Sequence, residues 1–223
     1  IVGICNTPNS KMTKLTDCGI FLKCGKENGI ASTKTFSNQI VSLLLLCLYI
    51  EQNSSTKIVS EYRQQLVDNI MLLPDMIEKA LDVAKDVRLL AYRLYRSNKI
   101  LYLGRGYGYP IALSGAFQLK NICHIDAEAY YSDEALNIDK DIPIVIIGNH
   151  KKHIDKVLDN IQKFRNNHNK IISICTDDST IDSDYNIVVP KTMDILAPIL
   201  GNIPLQLLCY YIAFFKQVNI DRI

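Results

Sequence analysis

The sequence predicts an α/β protein built from doubly wound parallel sheets flanked by helices. From residue 99 onward, short Ile- and Val-rich runs alternate with longer stretches of helical period. Those runs are continuously apolar, as in "DIPIVIIG" (141–148) and "KIISICT" (170–176). A strand with one wet face would alternate, so continuous runs imply strands covered on both sides.

Taken in order, "IVGIC" (1–5) is an apolar strand ending in the turn-like "NTPNS", and "DCGIFLKCG" (17–25) is a second strand. "ASTKTFSNQIVSLLLLCLYIEQ" (31–52) carries helical signals, with Ser32 or Thr33 as its N-cap. "TKIVSEYRQQLVDNIMLL" (56–73) and "PDMIEKALDVAKDVRLLAYRLYRSN" (74–98) read as two amphipathic helices, the second opened by Pro74 at a first-turn position. Then come the strand "KILYLG" (99–104), the turn "RGYGYP", the helix "IALSGAFQLKNI" (111–122), and an extended segment beyond it. The strand at 141–148 is followed by a helix over 151–167, then strands "KIISICT" and "NIVVP", and a closing apolar helix over 195–217. The expected organisation is a short α/β piece over 1–52, a helical linker over 53–97, and an α/β domain over 98–223. Two strands at the front are thin for an independent domain, so the chain reads as starting part-way through one.

Composition narrows the function classes. A chain of 223 residues is long enough for a substantial core, and 48% apolar with 22% charged residues is ordinary for a globular protein. A net charge of +2, with no basic stripe interleaved with aromatics, gives no reason to expect nucleic acid. "HKKHIDK" (150–156) is the densest basic cluster and reads as a solvated helix start. The run "IVSLLLLCLYI" is too short to span a bilayer, and "IVGICN" has no signal-peptide character, so no membrane is expected and the location is read as cytoplasmic. The cysteines, at 5, 18, 24, 47, 123, 175 and 209, are odd in number and scattered without metal-ligand spacing. Buried free thiols in a reducing compartment account for them.

Few residues offer chemistry. "GIASTKTF" (29–36) would gather Gly29, Ser32 and Thr33 at a helix start, where free amides favour an anion; an ordinary Ser/Thr cap explains the same pattern. "GRGYGYP" (104–110) has the strand–turn–helix context of a phosphate loop but lacks the dinucleotide spacing. Asp126, Glu128, Asp133 and Glu134 are paired acids past the helix, readable as acid–base groups or as solvated loop residues. His124, His150, His153 and His168 form no nucleophile or metal pattern. Gln118 and Asn121 lie three apart, on one face of a helix, and neither side chain can carry a proton near neutral pH.

With these words in view, the chain resembles the isomerase half of the glucosamine-6-phosphate synthase family, the glutamine–fructose-6-phosphate aminotransferases. "GIASTKTF", "GRGYGYPIALSGA" and "IPLQLL" carry the likeness, in unbroken order. The resemblance implies two sugar isomerase (SIS) domains: the C-terminal part of a first over 1–52, the linker, and a near-complete second over 98–223. It implies a phosphosugar ligand, fructose 6-phosphate or glucosamine 6-phosphate, with no metal and no organic cofactor, and a homodimer. Ser32 matches a sugar-contacting serine and Ile30 a backbone contact, so Ile30, Ala31, Ser32 and Thr33 become the expected substrate-binding residues. Asn121 matches the family's proton-moving glutamate and Gln118 a nearby lysine. The family's ring-opening histidine has no counterpart in "EALNIDKDIP" (134–143), and "NIDRI" ends before the position of its Schiff-base lysine. The expectation is therefore a truncated, catalytically impaired phosphosugar-binding relative, with no catalytic residue retained. The alternatives are part of an active aminotransferase, or a structural partner of one.

Overall fold

The structure is a computed structural model that describes residues 1–55, 58–131, 138–148, 161–177 and 181–221. It divides into two compact units, residues 1–71 with 221–223, and residues 72–220.

The first unit holds β1 (Val2–Cys5), α1 (Lys11–Leu15), β2 (Cys18–Phe21) and α2 (Lys34–Gln52). β1 and β2 pair in parallel, Val2 opposite Cys18 through Cys5 opposite Phe21. α1 was not expected: just past the turn-like "NTPNS", in a stretch given no element, the Ser10 hydroxyl accepts the Thr13 amide N–H and caps a short helix. Thr33 is the N-cap of α2, but its hydroxyl does not cap the helix.

α3 (Ser60–Leu81) corrects the expected helix pair, because it runs unbroken through Pro74. An interior proline forgoes one backbone hydrogen bond and crowds the preceding turn, at about 3 kcal/mol. Leu66, Leu73 and Ala80, spaced by seven, are all buried along one stripe, and that burial holds the helix together. The chain breaks instead near Asp82, whose N–H reaches the Lys79 carbonyl, before α4 (Ala84–Leu94) begins.

The second unit is a five-stranded, all-parallel sheet in the order β4-β3-β5-β6-β7. Its strands are β3 (Lys99–Gly104), β4 (Asp126–Tyr131), β5 (Ile144–Gly148), β6 (Ile171–Thr176) and β7 (Tyr185–Val189). β5 and β6 are buried at every residue, which is why their sequences never alternate. α5 (Gly108–Ile122) joins β3 to β4, and α6 (Ala197–Lys216) packs between α4 and α5. Of the helix expected over 151–167, residues 161–166 are helical and 151–160 lie outside the described residues.

α6 is long and apolar enough to cross a membrane by length and composition alone, yet 67% of its most apolar window is buried. Twelve of its residues, among them Ile199, Leu205, Leu208 and Ile212, are core positions, so it is a core helix.

The chain turns sharply from β3 into α5, and a β-carbon at Gly104 would lie 2.4 Å from the Gly108 carbonyl oxygen. Backbone cannot rotate away as a side chain can. Gly104→Ala is therefore expected to lose about 2–3 kcal/mol in urea unfolding, and a loss within about 0.5 kcal/mol would mean that this turn is loosely packed.

Candidate functional site

Consecutive connections run in opposite directions from β3: one leads to β4, and the next strand, β5, pairs on β3's other side. In open parallel sheets, ligands bind at the carboxyl ends of the strands at such a switch point. Gly104 ends β3 there, Arg105 and Gly106 form the turn, and Gly106 takes a left-handed φ of 53°. Tyr107 is the N-cap of α5 and makes no side-chain cap bond.

Tyr131 closes the same edge. It stands opposite Gly104 in the sheet register, and its hydroxyl oxygen accepts the Gly106 N–H at 3.3 Å. Its ring meets Tyr109 edge-on at 5.2 Å, and the Arg105 guanidinium lies 5.8 Å from its centroid. The result is a cation beside an aromatic wall. Sequence reasoning missed Tyr131, whose only signal is its place at the end of "DAEAYY".

Gln118 and Asn121 do not make a common functional face. Gln118 is buried and donates from Nε2 to the Ser114 hydroxyl at 3.0 Å. Asn121 is exposed and donates from Nδ2 to the Phe117 carbonyl at 2.8 Å, back onto its own helix. A spacing of three residues leaves side chains about 60° apart, and the edge of the core falls between these two.

The start of α2 is already filled by a carboxylate. Glu27 Oε1 accepts the backbone N–H groups of Thr33 and Thr35, at 3.0 and 3.2 Å, and the Thr33 hydroxyl at 3.3 Å. The other oxygen, Oε2, accepts the Thr35 hydroxyl. Thr33 is thus tied to Glu27, while Ile30 and Ser32 are exposed and Ala31 is partly covered. Glu27 supplies the negative charge that a helix start favours, a cap the sequence assigned to Ser32 or Thr33.

A family model for the SIS domain matches residues 93–216, more than half of the chain. The chain belongs to the SIS domain family. The glutamine–fructose-6-phosphate aminotransferase (isomerizing) of Bacteroides thetaiotaomicron is 34% identical over the whole chain, and that of Escherichia coli is 32% identical over 99% of it. The chain spans 37% of the length of these curated relatives. The C-terminal domain of glucosamine-fructose-6-phosphate aminotransferase from Francisella tularensis superposes with a TM-score of 0.91 at 30% identity, covering 100% of this chain and 65% of that one.

In this SIS chain the two candidate acids that the structure describes, Asp126 and Glu128, stand away from the carboxyl end of the sheet. Asp126 and Glu128 belong to strand β4, not to a loop. Asp126 pairs in register with Lys99, the first residue of β3, and Leu101 with Glu128. The Lys99 ammonium bridges both carboxylates, at 3.4 and 3.0 Å. The Lys99 hydrogen bond, aided by the Tyr130 hydroxyl, holds the Glu128 carboxyl below its usual range. Lys99 offsets one of the two negative charges, and the cluster lies in the first half of β4, away from its carboxyl end. Asp133, Glu134, His150 and His153 lie outside the described residues. His124 and His168 both sit at left-handed backbone positions, with φ of 52° and 58°. Among the described residues no group of three His, Cys, Asp or Glu side chains could hold a metal ion.

Because Glu27 satisfies two amides at the start of α2, Glu27→Ala should cost about 1 kcal/mol by thermal or urea unfolding. Glu27→Gln should recover part of that loss, since an amide oxygen still accepts hydrogen bonds. Equal stability of all three proteins would show that the cap contributes nothing.

Proposed function

We propose that this SIS chain binds a phosphosugar, fructose 6-phosphate or glucosamine 6-phosphate, and has lost the proton-transfer chemistry of the isomerase half that it resembles. The observation that carries the reading is Asn121. It occupies the position of the family's proton-moving glutamate, and its amide is engaged with the Phe117 carbonyl. A carboxylate takes a proton from one carbon and returns it to the next; an amide has no basic form to do so near neutral pH. General acid–base catalysis is worth about 10²–10⁴-fold, and that factor is what the change removes.

Binding outlives chemistry because it needs donors rather than titrating groups. Ile30, Ala31, Ser32 and Thr33 are the proposed sugar contacts. With Glu27 already at the helix start, the repulsion of a second negative charge argues for a neutral sugar hydroxyl on Ser32 rather than a phosphate there. Assembly as a homodimer in the cytoplasm belongs to the same proposal, by similarity to the aminotransferases. A second reading, part of an active aminotransferase, draws on the 37% share of the curated relatives that this chain spans.

Calorimetric titration with either sugar phosphate should give a saturable heat at millimolar ligand, and the absence of any heat at that concentration removes the phosphosugar reading. The same protein should not interconvert the two compounds in the presence of ammonia, read by mass spectrometry. Turnover well above the buffer rate would restore the active-enzyme reading.

A further inference from the structure

Cys123 and Cys209 face each other across two packed helices. Cys123 is the C-cap of α5, and Cys209 sits in the body of α6. Both are buried, and their sulfurs are 3.6 Å apart across 86 residues of sequence. The Cys123 thiol also lies 3.3 Å from the Cys209 carbonyl oxygen, which fixes its direction toward α6. Cys5 and Cys175 instead face oxygen partners, Ser10 and Asn186. Cys18 and Cys47 are exposed.

We propose that Cys123 and Cys209 form a redox pair that closes to an internal disulfide between α5 and α6 when the chain meets hydrogen peroxide. A disulfide needs about 2.05 Å between sulfurs, so closure asks for a displacement of about 1.5 Å, within reach of χ1 rotation and a small shift of the last turn of α5. Peroxide reaches the pair when that turn opens, since helix ends fray more readily than their middles.

The chemistry balances. The Cys123 thiolate attacks one peroxide oxygen, forming a sulfenic acid and releasing hydroxide, which takes up the thiol proton as water. The Cys209 sulfur then attacks the sulfenyl sulfur, forming the S–S bond and expelling a second water with the Cys209 proton. Two thiols are oxidised by two electrons, and one peroxide is reduced to two waters. The order of attack follows the surroundings. The hydrogen bond from Cys209 and the charge of Lys216 pull the Cys123 thiol down, whereas the contact with Cys123 and burial push Cys209 up.

The consequence falls on α5, the helix that begins at the switch-point turn and carries Gln118 and Asn121. A covalent bond at its far end ties it to α6 and restricts any movement of that turn against the rest of the unit.

The test treats the full chain with equimolar hydrogen peroxide, alkylates the remaining thiols after unfolding, and maps peptides without reduction. The expected result is a linked peptide pair joining residues 123 and 209, with a mass loss of two hydrogens. Melting should rise by roughly 5–10 °C and fall back with dithiothreitol. Cys209→Ala, or Cys209→Ser if the first does not fold, should abolish the rise. Recovery of both Cys123 and Cys209 as alkylated thiols while Cys18 or Cys47 is oxidised would overturn the proposal, and so would a linked pair whose melting does not rise.

Discussion

How closely α5 can lie on the sheet decides the geometry of the second unit. At Gly115 a β-carbon would come within 2.7 Å of the Tyr102 ring and 2.9 Å of Leu205. At Gly108 it would come within 3.0 Å of the Ile147 carbonyl oxygen. Side chains at these points would lift the helix off β3 and β5, and with it the turn at Gly104. The fully buried Tyr102 ring fills the space this approach creates. The same closeness brings the C-cap of α5 against α6, so the sulfur pair is a product of glycine-permitted packing rather than of local sequence.

The sheet was legible in the sequence because burial on both faces leaves an unmistakable pattern: Ile144–Ile147 and Ile171–Cys175 have no polar side chain but Ser173. That serine is satisfied by Ser183 and Asn186. The strand order was not legible, since period and composition say nothing about which neighbour a strand chooses. α3 was misjudged because a proline is a strong local signal, whereas the stripe of Leu66, Leu73 and Ala80 that overrides it matters only when something covers it. Tertiary burial outweighed local preference there.

The candidate site was half legible for a related reason. Helix spacing puts Gln118 and Asn121 about 60° apart, but the core boundary that separates them depends on where α6 and β4 lie. The carboxylates Asp126 and Glu128 attract attention as a pair. Only the parallel register, which sets Asp126 beside Lys99 at the amino end of the sheet, shows that they neutralise a cation. Glu27 was passed over because its ligands, the amides of Thr33 and Thr35, carry no side-chain signature.

On the proposed reading, the two amides of α5 make sense together. A lysine at position 118 would sit in a nearly closed environment, where an ammonium needs a counter-charge or suffers a large desolvation penalty. Glutamine resolves the difficulty by offering a neutral donor that Ser114 satisfies. Asparagine at the exposed position costs little, since water and the Phe117 carbonyl serve its amide. The pair of changes removes one positive and one negative charge, so the net charge of the helix is unchanged, with Lys120 still on it, and each amide has a hydrogen-bond partner. Loss of catalysis therefore need not weaken the fold, and a domain in this state can keep its shape, and any ligand that shape still admits, after its chemistry has gone.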